Sequence, residues 1–466
     1  MNKRILALLL ALTLMLGMAV NVSATETEPQ VIAEGTIEMV SWKLYDDGNL
    51  LIEGNLIVSE YAVPWRNYMD QITKVSLVGT RFSTKLLNNL PNLTTVYFPR
   101  SAAQVLSSFS NCPKFTAFTA AQDGEDFLCR NGYLLDNGGL RLCRAPTGLS
   151  GKVVLPDYLT IIEDYAFFDC DYIEELVLSE GLKSVGIRSF VDCNALKTVV
   201  FPSTLNRVAG HIFEYCDNLE SIYFTGDAPT AGMEAVNNGG PVFGDYSENR
   251  IPKDNRVTAN VYYPADNETW TEEVREAFGG SVTWIPYNPD NPFRDVPLDA
   301  FYEEPVLWAV ENGITNGTSD TTFSPDTVCN RAQVVTFLWR AAGCPEPAVT
   351  ENPFVDVEQG SFYEKAVLWA VEKGITNGMD DTHFEPDGVC NRSQVVTFLY
   401  RAFGQPTVGN VANPFTDVPT NKWYATPVLW AVKEGITNGM SENSFAPENT
   451  CTRAQVVTFL YRAYVN

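Results

Sequence analysis

From Gly35 to Ile57 apolar and polar residues alternate, as in Trp42-Lys43-Leu44 and Leu50-Leu51-Ile52, on either side of Asp46-Asp47-Gly48-Asn49. A period of two around a small polar turn predicts a β-hairpin. Thr25 to Gln30, just before it, is a short polar leader. Between about residues 160 and 226 the pattern changes to a repeat of 23 residues. Phe167, Phe190 and Phe213 are each followed three residues later by Cys170, Cys193 or Cys216, and three further on by Ile173, Leu196 or Leu219. Apolar pairs at spacing two close each unit: Leu176 and Leu178, Val199 and Phe201, Ile222 and Phe224. That spacing predicts a short strand with one face inward, and the stretch around each Phe a helical or irregular turn. A coil of this size buries its apolar face only by stacking on its neighbours, so the region reads as a solenoid. Weaker copies precede it at Phe109, Cys112, Phe115 and Phe118, and at Leu87, Leu90, Leu93, Val96 and Phe98 without the cysteine.

Residues 227 to 250 are rich in Gly, Asn and Pro and read as a loop. Val261-Tyr262-Tyr263 and Val282-Thr283-Trp284-Ile285 predict strands around a short helix from Glu272 to Phe278. Together they suit a cap, because the last coil of a solenoid otherwise exposes its core. Pro286, Pro289 and Pro292 stiffen the link to the C-terminal third of the chain.

From residue 291 onward one block of 61 residues occurs three times: Trp308, Trp369 and Trp430 keep that spacing, as do Arg331, Arg392 and Arg453. Each block predicts two helices. The first runs from Tyr302 to Asn312, with Tyr302, Val306, Ala309 and Val310 on one face. It stops at Gly313-Ile314, a glycine followed by an apolar residue, repeated at Gly374-Ile375 and Gly435-Ile436. A polar loop carries Phe323-Ser324-Pro325, Phe384-Glu385-Pro386 or Phe445-Ala446-Pro447. The second helix opens on Asn330, Asn391 or Thr452 with Gln333, Gln394 or Gln455 three residues on, a capping-box pattern.

Arginine at the first helical position is unusual, because the positive end of the helix dipole disfavours a cation there by up to about 1 kcal/mol. Two compensating partners are open. One is internal: the Asp of Phe-x-Asp-Val, at Asp295, Asp356 or Asp417. The other is an anionic ligand held by exposed helix-start amides and the guanidinium.

Composition adds an address. Lys3 and Arg4, the apolar run from Ile5 to Val20 and Val22-Ser23-Ala24 predict a secretory signal over residues 1–24, with a single N-terminal membrane anchor as the alternative. No later stretch of 18 apolar residues predicts a membrane span. The formal charge of −25 becomes −27 without Lys3 and Arg4; such a field repels phosphate backbones and argues against a nucleic-acid partner. Ten cysteines in an exported chain suggest disulfides, yet Cys170, Cys193 and Cys216, like Cys329, Cys390 and Cys451, are locked to a repeat register, which favours a role as small buried hydrophobes. Cys129 and Cys143 are the one candidate disulfide pair, since they flank a hairpin-like stretch turning at Asp136-Asn137-Gly138-Gly139.

With Phe-x-x-Cys-x-x-Leu as its best motif, the 23-residue pattern resembles the cysteine-containing, BspA-like leucine-rich repeats of bacterial surface proteins across about residues 35–287. That family is found on bacterial surfaces and in some cases is linked to adhesion. The 61-residue blocks resemble S-layer homology domains over all of 291–466: Asn-Pro-Phe-x-Asp-Val, Val-Leu-Trp-Ala-Val, Gly-Ile-Thr-Asn-Gly and the arginine motif recur in order three times. The resemblance implies an all-α pseudo-threefold bundle whose inter-repeat grooves hold secondary cell-wall polymer, often ending in a pyruvylated sugar. Arg331, Arg392 and Arg453 match the family's Thr-Arg-Ala-Glu motif, and Asp295, Asp356 and Asp417 its opening motif. Gln333, Gln394 and Gln455 stand where the family has Glu, which keeps the cap but removes a carboxylate beside the arginine.

The expected fold class is therefore α+β and multidomain: a signal (1–24), a β-rich segment with degenerate repeats (25–118), a leucine-rich repeat solenoid (119–226), its C-terminal cap (227–287) and S-layer homology domains at 291–350, 352–410 and 413–466. The expected function is non-enzymatic: a secreted protein held on the cell wall by the nine Arg, Asp and Gln residues, displaying a solenoid that binds an unidentified protein or glycan. A self-associating coat component and, further off, a cell-wall hydrolase are the alternatives. The two histidines offer no base or metal ligand: His211 aligns with Tyr165 and Arg188 as a solenoid surface position, and His383 lies in a polar loop. The acidic loops near Asp380-Asp381 and Glu442-Asn443 lack calcium-loop spacing and read as solvated turns, and no phosphate-binding or dinucleotide motif occurs, so no cofactor or metal is expected.

Overall fold

The computed structural model describes residues 28–37, 40–54, 63–78, 87–98, 109–120, 127–231, 241–244, 257–349 and 351–465; the expected signal and most of the 227–250 loop lie outside the described residues. They form two compact units, one within residues 1–261 and 268–284, the other within 262–267 and 285–466.

The first unit is a β-solenoid. Strands β1 (Val31–Ile37), β2 (Val40–Tyr45) and β3 (Asn49–Gly54) are antiparallel, and β2–β3 is the expected hairpin, with Trp42 opposite Ile52. The sheet then turns parallel through β4 (Lys74–Val78), β5 (Thr95–Phe98) and β6 (Ala117–Ala120). Leu50, Val75, Val96 and Phe118 stand in register and are buried, which is why each degenerate coil still stacks.

Strands β7 (Phe127–Arg130), β8 (Tyr133–Asp136) and β9 (Arg141–Arg144) form an antiparallel meander, and this overturns the Cys129–Cys143 disulfide. Cys129 lies on β7 and Cys143 on β9, with β8 between them. Two strand spacings are about 9.5 Å, beyond the reach of a disulfide. All ten cysteines are free thiols. The turn at 137–140 belongs to the β8–β9 hairpin alone; a second hairpin at Asn131-Gly132, marked by φ of 52° and 82°, separates the pair.

Beyond the meander every coil contributes to two parallel ladders. One holds β10 (Ser150–Val154), β12 (Tyr172–Val177), β14 (Thr198–Phe201) and β16 (Ser221–Phe224), with Val153, Leu176, Val199 and Ile222 in register inside. The other continues from β9 through two-residue strands β11 (Ile161–Ile162), β13 (Ser184–Val185), β15 (Arg207–Val208) and β17 (Thr230–Ala231). Between the ladders the chain makes irregular turns in which Tyr165, Arg188 and His211, then Asp169, Asp192 and Tyr215, take φ between 51° and 63°. Phe167, Phe190 and Phe213 stack down the centre at 5.4 and 5.3 Å.

The repeat cysteines are buried as expected, and they also donate. The Cys193 thiol reaches the Phe167 carbonyl at 3.2 Å and Cys216 that of Phe190 at 2.9 Å, each one coil back. One surface expectation is corrected. His211 is 4% exposed, because residues after 240 close over its coil: its amide donates to the Pro241 carbonyl. Tyr223 is 8% exposed, whereas Val177 and Val200 on the same outward face are partly open. Strands β18 (Asn260–Pro264) and β19 (Thr283–Tyr287) extend the first ladder, and helix α1 (Glu272–Ala277), capped by Thr271, lies between them. Trp270 and Phe278 meet Phe224 at 4.8 and 5.6 Å, closing the core.

The second unit holds three helix pairs: α2 (Glu303–Glu311) and α3 (Arg331–Ala341), α4 (Glu364–Glu372) and α5 (Arg392–Ala402), α6 (Ala425–Lys433) and α7 (Arg453–Val465). The first helix of each pair ends as the glycine stop predicts: Gly313 has φ of 64° and Ile314 donates back to Ala309 at 2.8 Å. Packing is cyclic. Helix α3 pairs with α4, α5 with α6 and α7 with α2, while α3, α5 and α7 touch one another. At the centre Cys390 donates its amide to the Cys329 carbonyl, Cys451 to Cys390 and Cys329 to Cys451, closing a ring of backbone bonds at 3.0–3.1 Å. Isolated bridges such as Asn330 to Val389 and Val328 to Thr452 join the modules, so the unit is helical with short extended links rather than purely α.

Candidate functional site

The three arginines lie in the seams between modules. Asn330 and Asn391 accept from the amides of Gln333 and Gln394 at 2.9 Å while each Gln Oε1 accepts from the cap amide, and Thr452 with Gln455 does the same at 3.4 and 3.3 Å. The glutamines therefore fix where each helix starts. Arg331, Arg392 and Arg453 follow at 3–4% exposure. Their Nε–H groups donate at 2.8–2.9 Å to the carbonyls of Phe384, Phe445 and Phe323, always in the next module around the ring. Each guanidinium also lies over two phenylalanine rings of that module, Phe384 and Phe398 at 4.8 and 5.6 Å for Arg331. The other two repeat this at 4.8–5.4 Å. Burial lowers the pKa of all three, and nearby thiols and carboxylates oppose that shift.

The aspartates do not pair with the arginines directly. Asp356 accepts from the amides of Phe384 and Glu385 at 2.9 and 2.7 Å, and Asp295 and Asp417 hold the matching loops in the same way. One residue thus joins the two: the Asp takes the N–H of the phenylalanine whose C=O takes the arginine. Burial opposes ionisation of Asp417, but the bonds from Ser444, Phe445 and Ala446 outweigh it and hold its pKa below the ordinary carboxylate range.

The expectation of exposed amides at the helix start is also corrected. The Arg331 and Ala332 amides donate to the Gly388 and Pro386 carbonyls at 2.8 and 3.0 Å, with the same pattern at Arg392 and Arg453. With the third amide capped, the first helical turn has no free donor for an anion. What remains is the outer edge of each guanidinium. Arg331 Nη2 and Arg453 Nη2 lie 3.4 Å from Thr376 and Thr315 hydroxyls, and Arg392 has no protein acceptor beyond Phe445 among the described residues.

Residues 292–335, 353–396 and 414–457 each match the S-layer homology domain, and residues 149–239 match six copies of the BspA type leucine rich repeat region. The chain joins BspA-type leucine-rich repeats to three S-layer homology domains. Similar relatives include a cell surface protein of Thermoanaerobacter kivui, 33% identical over 24% of this chain and 15% of its own length. An S-layer protein of Bacillus thuringiensis subsp. finitimus is 26% identical over 36% of this chain and 21% of its own. An amylopullulanase of Thermoanaerobacterium thermosulfurigenes is 26% identical over 45% of this chain and 12% of its own. The chain thus spans about an eighth to a fifth of the length of these relatives.

A second set of arginines in the S-layer homology domains was missed. Arg340, Arg401 and Arg462 donate at 3.0–3.3 Å to the carbonyls of Ile314, Ile375 and Ile436, which follow each glycine stop. Their 61-residue spacing was visible, but nothing local marks them, because the acceptor lies 26 residues back. The asparagines of Asn-Pro-Phe were missed too: Asn291, Asn352 and Asn413 accept from the Phe two residues on and donate to the Val five residues on, folding the motif around its Asp.

Proposed function

We propose that the chain is a cell-surface protein held non-covalently on the wall by its S-layer homology domains, which form a pseudo-threefold bundle and bind secondary cell-wall polymer in the seams. The observation that carries this reading is a cation, repeated three times, buried between modules and, among the described residues, paired directly with no carboxylate. A buried guanidinium whose Nη groups meet at most one long-range hydroxyl of the protein suits a carboxylate, such as the acid of a pyruvylated sugar. Asp295, Asp356 and Asp417 serve by setting the loop that presents each arginine's acceptor, and Gln333, Gln394 and Gln455 by fixing the helix start. Secretion through the signal at 1–24 belongs to the same reading. No helix among the described residues is long and apolar enough to cross a membrane.

For the repeats we propose display of a binding surface for a protein or glycan, with residues 227–287 as the cap. The outward faces of the sheets offer Val78, Tyr97 and Val154, the last 58% exposed. The relatives include an enzyme as well as surface proteins, and the reading favoured for this chain is non-enzymatic binding. The anchoring is tested by sedimenting the full chain with cell-wall fragments before and after the secondary polymer is chemically stripped from them. Co-sedimentation lost on stripping supports the anchor; equal recovery with stripped walls sinks it.

A further inference from the structure

The three seams share one frame and differ in the charge of one loop residue. The residue between the Phe and Pro of each loop has φ of 59°, 56° and 55°, and its amide is fixed by the same Asp at 2.7–2.8 Å, yet its side chain is Ser324, Glu385 or Ala446. We propose that Glu385 closes the Arg331 seam to anions, so that the chain holds two anionic polymer ends, at Arg392 and Arg453, rather than three. This rests on the proposed reading of the seams as anion sites.

Geometry brings the stem of Glu385 to the right seam. Gly388 follows Glu385 in the loop, where the other loops have Thr327 and Asn449. A Cβ at Gly388 would lie 3.2 Å from Arg331 Cδ and 3.4 Å from Glu385 Cβ, so both stems border one small space that glycine leaves open. The position before it, Asp326, Asp387 or Glu448, is acidic in all three loops and does not discriminate. Among the described residues, the carboxylates whose charge acts on Arg331 are Glu385 and Asp356, whereas Asp417 acts on Arg392 and Asp295 on Arg453. One carboxylate balances the charge of one guanidinium, and a second leaves the Arg331 seam net negative, so an anion entering there meets like charge. Ser324 adds no charge, its hydroxyl lying 2.7 Å from that of Thr318, and Ala446 offers only a methyl group.

Titration calorimetry of the full chain with a methyl glycoside of a 4,6-O-pyruvylated N-acetylhexosamine tests the count. The wild type should take up two equivalents. Glu385→Ala should take up three, and Ala446→Glu only one. Neither substitution strains the loop, since Ala446 and Glu385 already adopt the same φ. Three equivalents in the wild type, or two in Glu385→Ala, overturns the assignment while leaving the seams as anion sites. No uptake by any of the three chains overturns both readings.

Discussion

A guanidinium buried beside a neighbour's carbonyl is a staple as well as a candidate ligand contact, and the two roles make different demands on a mutant. Replacing Arg392 by Met leaves the Phe445 carbonyl without its donor, at a cost of about 1–3 kcal/mol, and removes a cation from two aromatic rings. Urea unfolding followed by tryptophan fluorescence should show that loss before any ligand is added. Changing Arg331, Arg392 and Arg453 together is therefore expected to unfold the array rather than to yield a folded, released chain. The arginines were legible in the sequence because a cation at a capped helix start is out of place. Their partners were not, since each acceptor carbonyl lies 53 or 130 residues away. Asp192 makes a separate prediction in the solenoid. Burial, together with Asp169, Asp171, Glu214 and Asp217, raises its carboxyl to about 6. The folded state then holds a proton that the unfolded chain releases near 4, so the group destabilises the fold above about pH 6 and ceases to do so below about pH 4. Asp192→Asn should raise the midpoint of thermal unfolding at pH 7 and leave it unchanged at pH 4. Asn also suits the left-handed φ of 56° found there.

At the scale of elements, what repeated or alternated over four or more residues could be read, and what did so over two could not. The β2–β3 hairpin, the ladder of β12, β14 and β16 and the paired helices each derive from a period. The ladder of β11, β13, β15 and β17 offers one buried residue per coil, Ile162, Val185 or Val208, too few to show a period of two. The Asn131-Gly132 turn was overlooked beside the longer glycine-rich turn at 136–139, and the supposed disulfide depended on that omission. Thiol chemistry checks the outcome. In the native protein Cys344 alone is exposed and should react fast with an aromatic disulfide reagent. Burial pushes the thiols of Cys129, Cys143 and Cys170 up to about 12. Denaturation should release all ten without reductant. A count of eight would restore the bridge.

As a whole the molecule combines an open stack with a closed ring, and the two answer differently to truncation. A solenoid coil contacts only its neighbours, so end losses stay local. The ring has no end to lose. Removing residues 413–466 takes away the partners of α2 and α5 and leaves Arg392 facing water, so the remaining two modules should melt as one and far below the intact array in calorimetry.

Closure also sets an order of events. Helix α2 finds its mate only in α7, and the Arg453 bond to Phe323 spans 130 residues. Loops of that length close slowly, and the first helix of the first module lacks its partner until the last helix exists. During synthesis, and during any passage through a narrow pore, the ring stays open until its final helix has emerged.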